Sequence, residues 1–423
     1  MPPLVLLAIA ASAAPAALRL HVAPMQCFTN THMRFLLRSL SSSTILWTEM
    51  EKAEDLLASE SSLARRLAGS ENQGPVVLQL GGSNPRELAE ATARSIRFGF
   101  DEINLNCGCP TVQSVAASYG AALMQQAPLA RECVQAICDA AGGRPVSVKC
   151  RLNAHDALEI GGAIRPDSFE ALDEFVTRAC IGGGASHVIL HARSAILALS
   201  PLKNRQVPPL RPEWAHRLAA LHPDLRVTLN GGIASAADLR LAAAQASDAG
   251  LDGLMAGRWL LRDPFALLEA ERVMAARGAA LGSGSPDTSA ADGAIDAMRA
   301  ASALRSYAAY AAHKVAGREC AASELAPPLV LALEALAERW DAPAALSAGG
   351  SSDWGDDAMN EALDAVWEAI VALDGGRGNL EQGSAAGRVS IRKMHQALGR
   401  MAGAKVAKKA LRTRKEALGA AAG

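Results

Sequence analysis

The sequence lacks several features that would settle its class at once. It has almost no net charge: 42 Lys and Arg stand against 43 Asp and Glu, a formal net charge of −1. No global field therefore favours a nucleic acid or an anionic surface, and any such partner must be held by a local patch. The eight cysteines are scattered through 423 residues. They form neither a disulfide framework nor the paired CxxC knuckles of a zinc site, so a reducing compartment and no metal are expected. The body contains no run of eighteen apolar residues, and no membrane span is expected. No internal repeat is evident beyond an alternation of strand-like and helix-like segments. A glycine-rich nucleotide fingerprint after the first strand is also missing; that position reads "APMQCFTN".

What is present is a regular series of short β-rich runs. They are "LRLHVAPM" (18–25), "TILWTEM" (44–50), "PVVLQL" (75–80), "DEINLN" (101–106), "PVSVKC" (145–150), "SHVILH" (186–191), "RVTLN" (226–230) and "DGLMAG" (252–257). Helical segments lie between them. In one, Asn84 is placed to cap, Pro85 suits the first helical position, Glu87 completes the start and Gly99 marks the stop. Eight strand–helix units over this length predict a (β/α)8 TIM barrel across residues 19–277. A doubly wound sheet is the alternative, and the missing fingerprint disfavours it. A Gly/Ser/Pro-rich linker is expected over 278–293. A second, all-helical domain with flexible insertions is expected over 294–423.

The first 18 residues carry an apolar stretch ending in small residues but no basic flank, and they run almost directly into the first predicted strand. Two readings stay open: a secretory or organellar (plastid or mitochondrial) leader, or a mis-assigned start or disordered tail on a cytoplasmic protein.

In a barrel, chemistry collects at the carboxyl ends of the strands. Those ends carry Pro24 and Met25, Glu49, Gln79, Asn104 and Asn106, Lys149 and Arg151, His191 and Arg193, Asn230, and Gly257 and Arg258. Any one alone reads as a capped strand end. Eight in register converge on one mouth, which capping does not explain. The last two strands end in "NGGI" and "AGR", glycines just before helix starts with Arg258 alongside. This pattern points to a phosphate-bearing cofactor. The fourth strand runs into "NCGCP", two cysteines one residue apart, which could be a metal clip, a redox pair or one working thiol.

The ordered set "HVAPM", "LWTEM", "VVLQLGGSNP", "DEINLNCGCP", "YGAALM", "VSVKCRL", "VILHAR", "LSPLKNRQVPPL", "LNGGI" and "GLMAGR" resembles the tRNA-dihydrouridine synthases. "LSPLKNRQVPPL" points to the type acting on D-loop positions 20 and 20a. The resemblance covers roughly residues 20 to 270. It implies an FMN-containing barrel with a helical tRNA-binding domain, reducing one uridine of tRNA at its 5,6 double bond with NADPH. It places Pro24, Met25, Gln79, Lys149, His191, Asn230, Gly231, Gly257 and Arg258 at FMN. It places Asn106, Lys149, Arg151, His191 and Arg193 at the uracil end, and Lys203, Asn204 and Arg205 as a further RNA contact. Cys109 is implied as the proton donor, because a thiol stays protonated at neutral pH until the reaction needs it. Cys107 is then a packing residue. A metal clip lacks further ligands, and a CxC disulfide is strained.

Two departures from the family pattern stand out. "CFTN" puts Cys27 and Asn30 where acids are usual, leaving the order of that loop in question. "EKAEDLLAS" replaces the usual turn after "TEM". RNA affinity needs basic groups, and residues 388–418 supply ten Lys/Arg against one acid on a helical spacing. Two rival functions remain: a flavin barrel of the dihydroorotate or old-yellow type acting on a small molecule, and a non-catalytic tRNA-binding paralogue. No stable protein partner is inferred.

Overall fold

A computed structural model describes residues 18–116, 118–159, 161–279, 290–339 and 356–374. The N-terminal leader or tail, most of the expected linker and the basic run 388–418 lie outside these residues.

Eight parallel strands form one sheet: β1 Arg19–Val22, β2 Leu46–Lys52, β3 Val76–Gly81, β4 Glu102–Cys107, β5 Val146–Arg151, β6 His187–His191, β7 Arg226–Asn230 and β8 Gly253–Ala256. Sequence neighbours pair in order, and β1 pairs with β8. Backbone bonds from Ile45 to Leu20 and from Val22 to Ile45 then tie β1 to the start of β2 and close the barrel. β3 and β4 are buried at every position, as parallel strands covered on both faces should be. β2 starts and ends two residues later than the sequence pattern suggests, and its register to β3 shifts between Trp47 and Met50.

The helix Pro85–Ser95 starts as its sequence requires. The Asn84 side chain accepts from the backbone of Arg86 and Glu87, Pro85 lies in the first turn, and Gly99 closes the following 3-10 turn with φ +75°. A short two-residue ladder, Ala154–His155 with Ala195–Ile196, braces the loops after β5 and β6 above the mouth.

Among the described residues, three helices follow the barrel: Ala290–Ala316, Ala322–Arg339 and Asp356–Asp374. The first begins inside the expected linker. They share one continuous hydrophobic core with the barrel's outer layer. The contact runs through the helix Thr31–Leu40. Phe35 stacks on Tyr310 with ring centroids 4.1 Å apart, and His32 Nδ1 lies 2.9 Å from the Tyr310 hydroxyl. Burial pulls the His32 pKa down to about 4, so this contact is made by a neutral imidazole. No helix among the described residues is long and apolar enough to cross a membrane.

Candidate active site

Two cavities open side by side at the carboxyl ends of the strands. The larger, about 680 Å³, is lined by Met25, Asn230, Gly231, Gly257, Arg258 and neighbours. The smaller, about 490 Å³, is lined by Gln79, Asn106, Cys109, Pro110, Thr111 and neighbours. Pro24, Lys149, Arg151, His191 and Arg205 line both, so these five residues are the shared wall.

The larger cavity is built from glycine and cations. Gly231 and Gly232 have φ of +109° and +81°, a backbone that favours glycine. A Cβ on Gly231 would lie 3.1 Å from His191, and one on Gly257 would lie 3.4 Å from the Met25 sulfur. The missing side chains let His191, Leu210, Ala23 and Met25 pack closely against this glycine backbone at the cavity wall. Asn230 is fixed inside it: its Nδ2 donates to Met255 O at 2.9 Å, and its Oδ1 accepts from Lys149 Nζ at 2.9 Å. The helix start expected to attract an anion after β7 is already partly satisfied. Ser235 caps it, and Asp238 accepts from Ala234 N at 2.9 Å. Attraction for a phosphate therefore falls to the glycine backbone, Arg258 and Arg262.

Crowded cations alter one another. Burial, then Arg151, pulls the Lys149 pKa down to about 8. Burial, followed by Arg151, Lys149, Arg193 and Arg258, holds His191 well below its usual value. At neutral pH the lysine is therefore a cation and the histidine a neutral hydrogen-bonding ring. A dense positive wall beside a glycine cradle fits a phosphate-bearing cofactor.

The smaller cavity is built around the β4 turn. Asn106 Oδ1 accepts from Gly108 N at 3.0 Å and Cys109 N at 2.9 Å, folding the turn over the mouth. Arg151 pins the same turn through Gly108 O at 2.9 Å. The Cys109 carbonyl accepts from Ala121 N at 3.0 Å. Gly120, at φ +65°, makes that approach possible, because a Cβ there would sit 2.6 Å from the Cys109 oxygen. Cys109 is half-buried, with its Sγ 3.5 Å from Thr111 Oγ1. Cys107, by contrast, is the last residue of β4, fully buried, with its thiol pushed well up by burial. It packs, as the sequence reading expects, and the two cysteines are free thiols.

Four expected contacts are placed differently. Asn204 is completely buried. Its amide bonds Ile196 N at 2.7 Å and Ile196 O at 2.8 Å, so it anchors the loop after β6 from within. Arg193 donates to Pro208 O and is absent from both cavity walls, although its charge acts on His191. Lys203 is exposed at the start of a short helix, outside both cavities. Arg205 alone of that run reaches the walls. Gln79 lines the smaller cavity, not the larger.

The altered loop after β1 is ordered. Asn30 caps the helix Thr31–Leu40 by accepting from Met33 N at 3.0 Å, which an aspartate would do equally well. Arg34 is fully buried and donates to Thr29 O at 2.7 Å, Gln73 Oε1 at 2.9 Å and Ser70 Oγ at 2.9 Å. Cys27 is exposed at φ +70°, and its backbone N–H donates to Glu49. In the unusual stretch after β2, Arg66 reaches the smaller cavity from the helix Glu60–Leu67 and bonds Glu51 at 2.9 Å and Asp55 at 3.2 Å. No motif announces Arg66; its role depends on how that helix returns to β2.

A closed parallel barrel whose mouth joins a cationic glycine cradle to a loop-borne thiol is an enzyme of the barrel oxidoreductase class. The family model described as dihydrouridine synthase (Dus) matches residues 21–280, and the chain belongs to that family. The tRNA-dihydrouridine(20/20a) synthase of Xanthomonas campestris pv. campestris is 42% identical over 262 residues, covering 62% of this chain and 72% of that protein. The protein of the same name from Xanthomonas axonopodis pv. citri is 43% identical over 253 residues, covering 60% and 70%. That from Escherichia coli K12 is 38% identical over 255 residues, covering 60% and 69%.

Proposed function

We propose that the protein reduces a D-loop uridine of tRNA, at position 20 or 20a, to 5,6-dihydrouridine, with FMN as cofactor and NADPH as electron donor. The observation that carries this reading is the shared wall. Lys149, Arg151 and His191 face both the phosphate cradle and the cavity that holds Cys109. One bound group on each side of that wall would meet across it.

The residues divide the work. Gly231, Gly257, Arg258 and Asn230 would hold the phosphate and ring of FMN. When bound, FMN supplies the hydride that the protein cannot. Asn106 and Arg151 hold the Cys109 turn over the smaller cavity, so the thiol stands ready to donate its proton to C5 of the uracil. The Lys149 ammonium, cationic below about pH 8, stabilises negative charge developing on the base. A folded tRNA does not expose this base, so the nucleotide must be splayed into the cavity. Phosphate contacts by basic groups, with the run 388–418 as the main supply, provide the affinity.

The test is purified protein incubated with unmodified tRNA, FMN and NADPH, followed by mapping of dihydrouridine. The expected result is a yellow protein and product at position 20 or 20a. A protein that gains no flavin absorbance, or a flavin-loaded one that makes no dihydrouridine, overturns the reading. Deleting residues 388–423 should weaken tRNA affinity sharply while flavin reduction by NADPH continues; equal tRNA affinity of the two proteins excludes that run as the grip.

A further inference from the structure

Cys109 begins a short chain of hydroxyls in the smaller cavity. Its Sγ lies 3.5 Å from Thr111 Oγ1, and Thr111 Oγ1 lies 2.7 Å from Ser114 Oγ. All three residues line that cavity. Their places are fixed through the backbone. Asn106 Oδ1 holds Cys109 N, Cys109 O accepts from Ala121 N, and Ser114 O accepts from Tyr119 N at 2.9 Å. Ser114 is completely buried, and Gly120 packs against it: a Cβ there would sit 3.2 Å from the Ser114 Cβ.

Capping accounts for only part of this arrangement. Thr111 precedes the short helix Val112–Ala116 and accepts from Ser114 N at 3.3 Å, as an N-cap does. A cap needs one oxygen. It needs neither a second, buried hydroxyl at 2.7 Å nor a thiol. The donors and acceptors give the rest. A hydroxyl accepts twice and donates once. The Ser114 N–H and the Cys109 S–H both donate to Thr111 Oγ1, so its own hydrogen goes to Ser114 Oγ. The resting direction runs from thiol to Thr111 to Ser114.

That direction has to reverse when the thiol reacts. As the S–H bond breaks and the proton joins C5 of the uracil, the bonding pair stays on sulfur. A thiolate only accepts. The Thr111 hydrogen turns about the Cβ–Oγ bond to meet it, and the Ser114 hydrogen turns toward the lone pair that the thiol has left. Two rotations suffice, and no heavy atom moves. A hydrogen bond to an ion is roughly twice as strong as one between neutral groups, so the pair favours the thiolate over the thiol. We propose that Thr111, backed by Ser114, is a reversing partner of Cys109: it accepts from the thiol and donates to the thiolate formed in proton transfer. After product leaves, water returns the proton to sulfur. The effect on turnover rests on Cys109 being the proton donor; the stabilisation of the thiolate does not.

Four variants of the full-length, FMN-loaded protein test this. Thr111→Val keeps the shape and removes the hydroxyl; Thr111→Ser restores it. Ser114→Ala removes the second hydroxyl and leaves the backbone cap bond in place. Cys109→Ala tests the proton donor itself. All four leave the charges around the cavity untouched: Lys149 and Arg151 of β5, whose charges act on Cys109, then Arg205, and Lys52, Asp55 and Arg66 from the end of β2 onward. Two measurements are made. One is kcat and tRNA KM for dihydrouridine formation. The other is the pH profile of Cys109 alkylation by iodoacetamide, resolved by mass spectrometry from the other thiols, the exposed Cys27 among them. In Thr111→Val, kcat should fall about three- to tenfold at an unchanged KM, and the alkylation profile should move to higher pH by about one unit. Thr111→Ser should match wild type in both, and Ser114→Ala should fall between. A Thr111→Val profile that superposes on wild type overturns the proposal. So does a Thr111→Ser variant as impaired as Thr111→Val, because that assigns the loss to the shape of the turn. Should Thr111→Val fail to fold, Ser114→Ala decides: a wild-type profile and rate in that variant overturn the pair. A shifted profile with unchanged kcat upholds the partnership and overturns Cys109 as the proton donor; Cys109→Ala should then form product at the wild-type rate.

Discussion

The base and the mouth of this barrel treat charge in opposite ways. At the base, Glu102 accepts from His187 and Arg226, while Asp252 pairs with Arg19. Opposite charges are matched there within the fold. At the mouth, Lys149, Arg151, Arg205, Arg258 and Arg262 gather around the larger cavity, and Asp238 is the acidic residue among its lining. Burial, offset in part by Cys109 and reinforced by Arg205 and Arg193, brings even Arg151 down to about 10. Cations that depress one another in this way cost stability, and an anion relieves that cost. Matched charge marks the end that holds the barrel together. Excess charge of one sign marks the end that waits for a ligand.

The largest effect should come from separating the two cysteines of the β4 turn. Cys109→Ala should still take up FMN and accept electrons from NADPH, yet lose dihydrouridine formation by on the order of a hundredfold or more, the scale for removing a general acid. Cys107→Ala should stay within a few-fold of wild type, because a buried packing residue loses only its sulfur. Single-turnover assays of both variants check this, and the reverse ranking would shift the working thiol by two positions. Next in size, Arg258→Ala should weaken FMN binding about tenfold or more by removing a charged donor from the cradle. Its folding stability without flavin should rise or stay level, since one of several crowded cations is gone. Flavin titration and thermal melts of the same samples separate those two effects.

The base should answer in the opposite sense. Arg226→Met leaves Glu102 with one fewer partner, at a cost of about 1–3 kcal/mol; partial solvent exposure of Arg226 limits the penalty. Because His187 still holds Glu102 ionised, kcat should stay within twofold of wild type. Chemical denaturation measures the first quantity and tRNA turnover the second. A variant that is fully stable but slow would break the contrast between the two ends.

Much of this organisation can be read along the chain, because strand ends in a barrel are local features. Each predicted strand begins within two residues of its observed start, and "NGGI", "AGR" and "GCP" sit where the mouth needs them. Asn84 and Gly99 cap their helical segment through bonds to near neighbours. What the sequence hides is partnership across long separations. Asn204 looks like an RNA contact in "LKNRQ", but its amide turns inward to Ile196 and Leu199. Arg34 is fixed by Gln73 and Ser70, nearly forty positions away. Asn30 departs from the expected acid in type, yet its side chain caps the helix Thr31–Leu40 as an aspartate could. The alternation of Asn104 and Asn106 is visible along the chain, but their partners Gln79 and Ser147 come from neighbouring strands.

The smallest predicted effect concerns a mouth residue that does carry a partner. Glu51 lies near the end of β2, 5% exposed, and bonds Arg66 at 2.9 Å. Burial raises its pKa to about 7; Arg66 opposes the rise and Glu49 adds to it. The free carboxyl titrates near 4.5, so the folded chain holds this proton more tightly than the unfolded chain does. Stability from that difference is complete below about pH 4.5 and is lost as pH rises through 7. The full shift corresponds to no more than about 3 kcal/mol, and the half-exposed Arg66 makes about 1–2 kcal/mol the better expectation. Glu51→Gln keeps an oxygen for Arg66 and removes the titration. Melting temperatures of the two proteins between pH 5 and 8 should therefore diverge by a few degrees, with wild type declining and the variant flatter. Parallel curves would mean that Arg66 neutralises Glu51 as fully as Arg226 and His187 neutralise Glu102, and the contrast between mouth and base would then stop at the larger cavity.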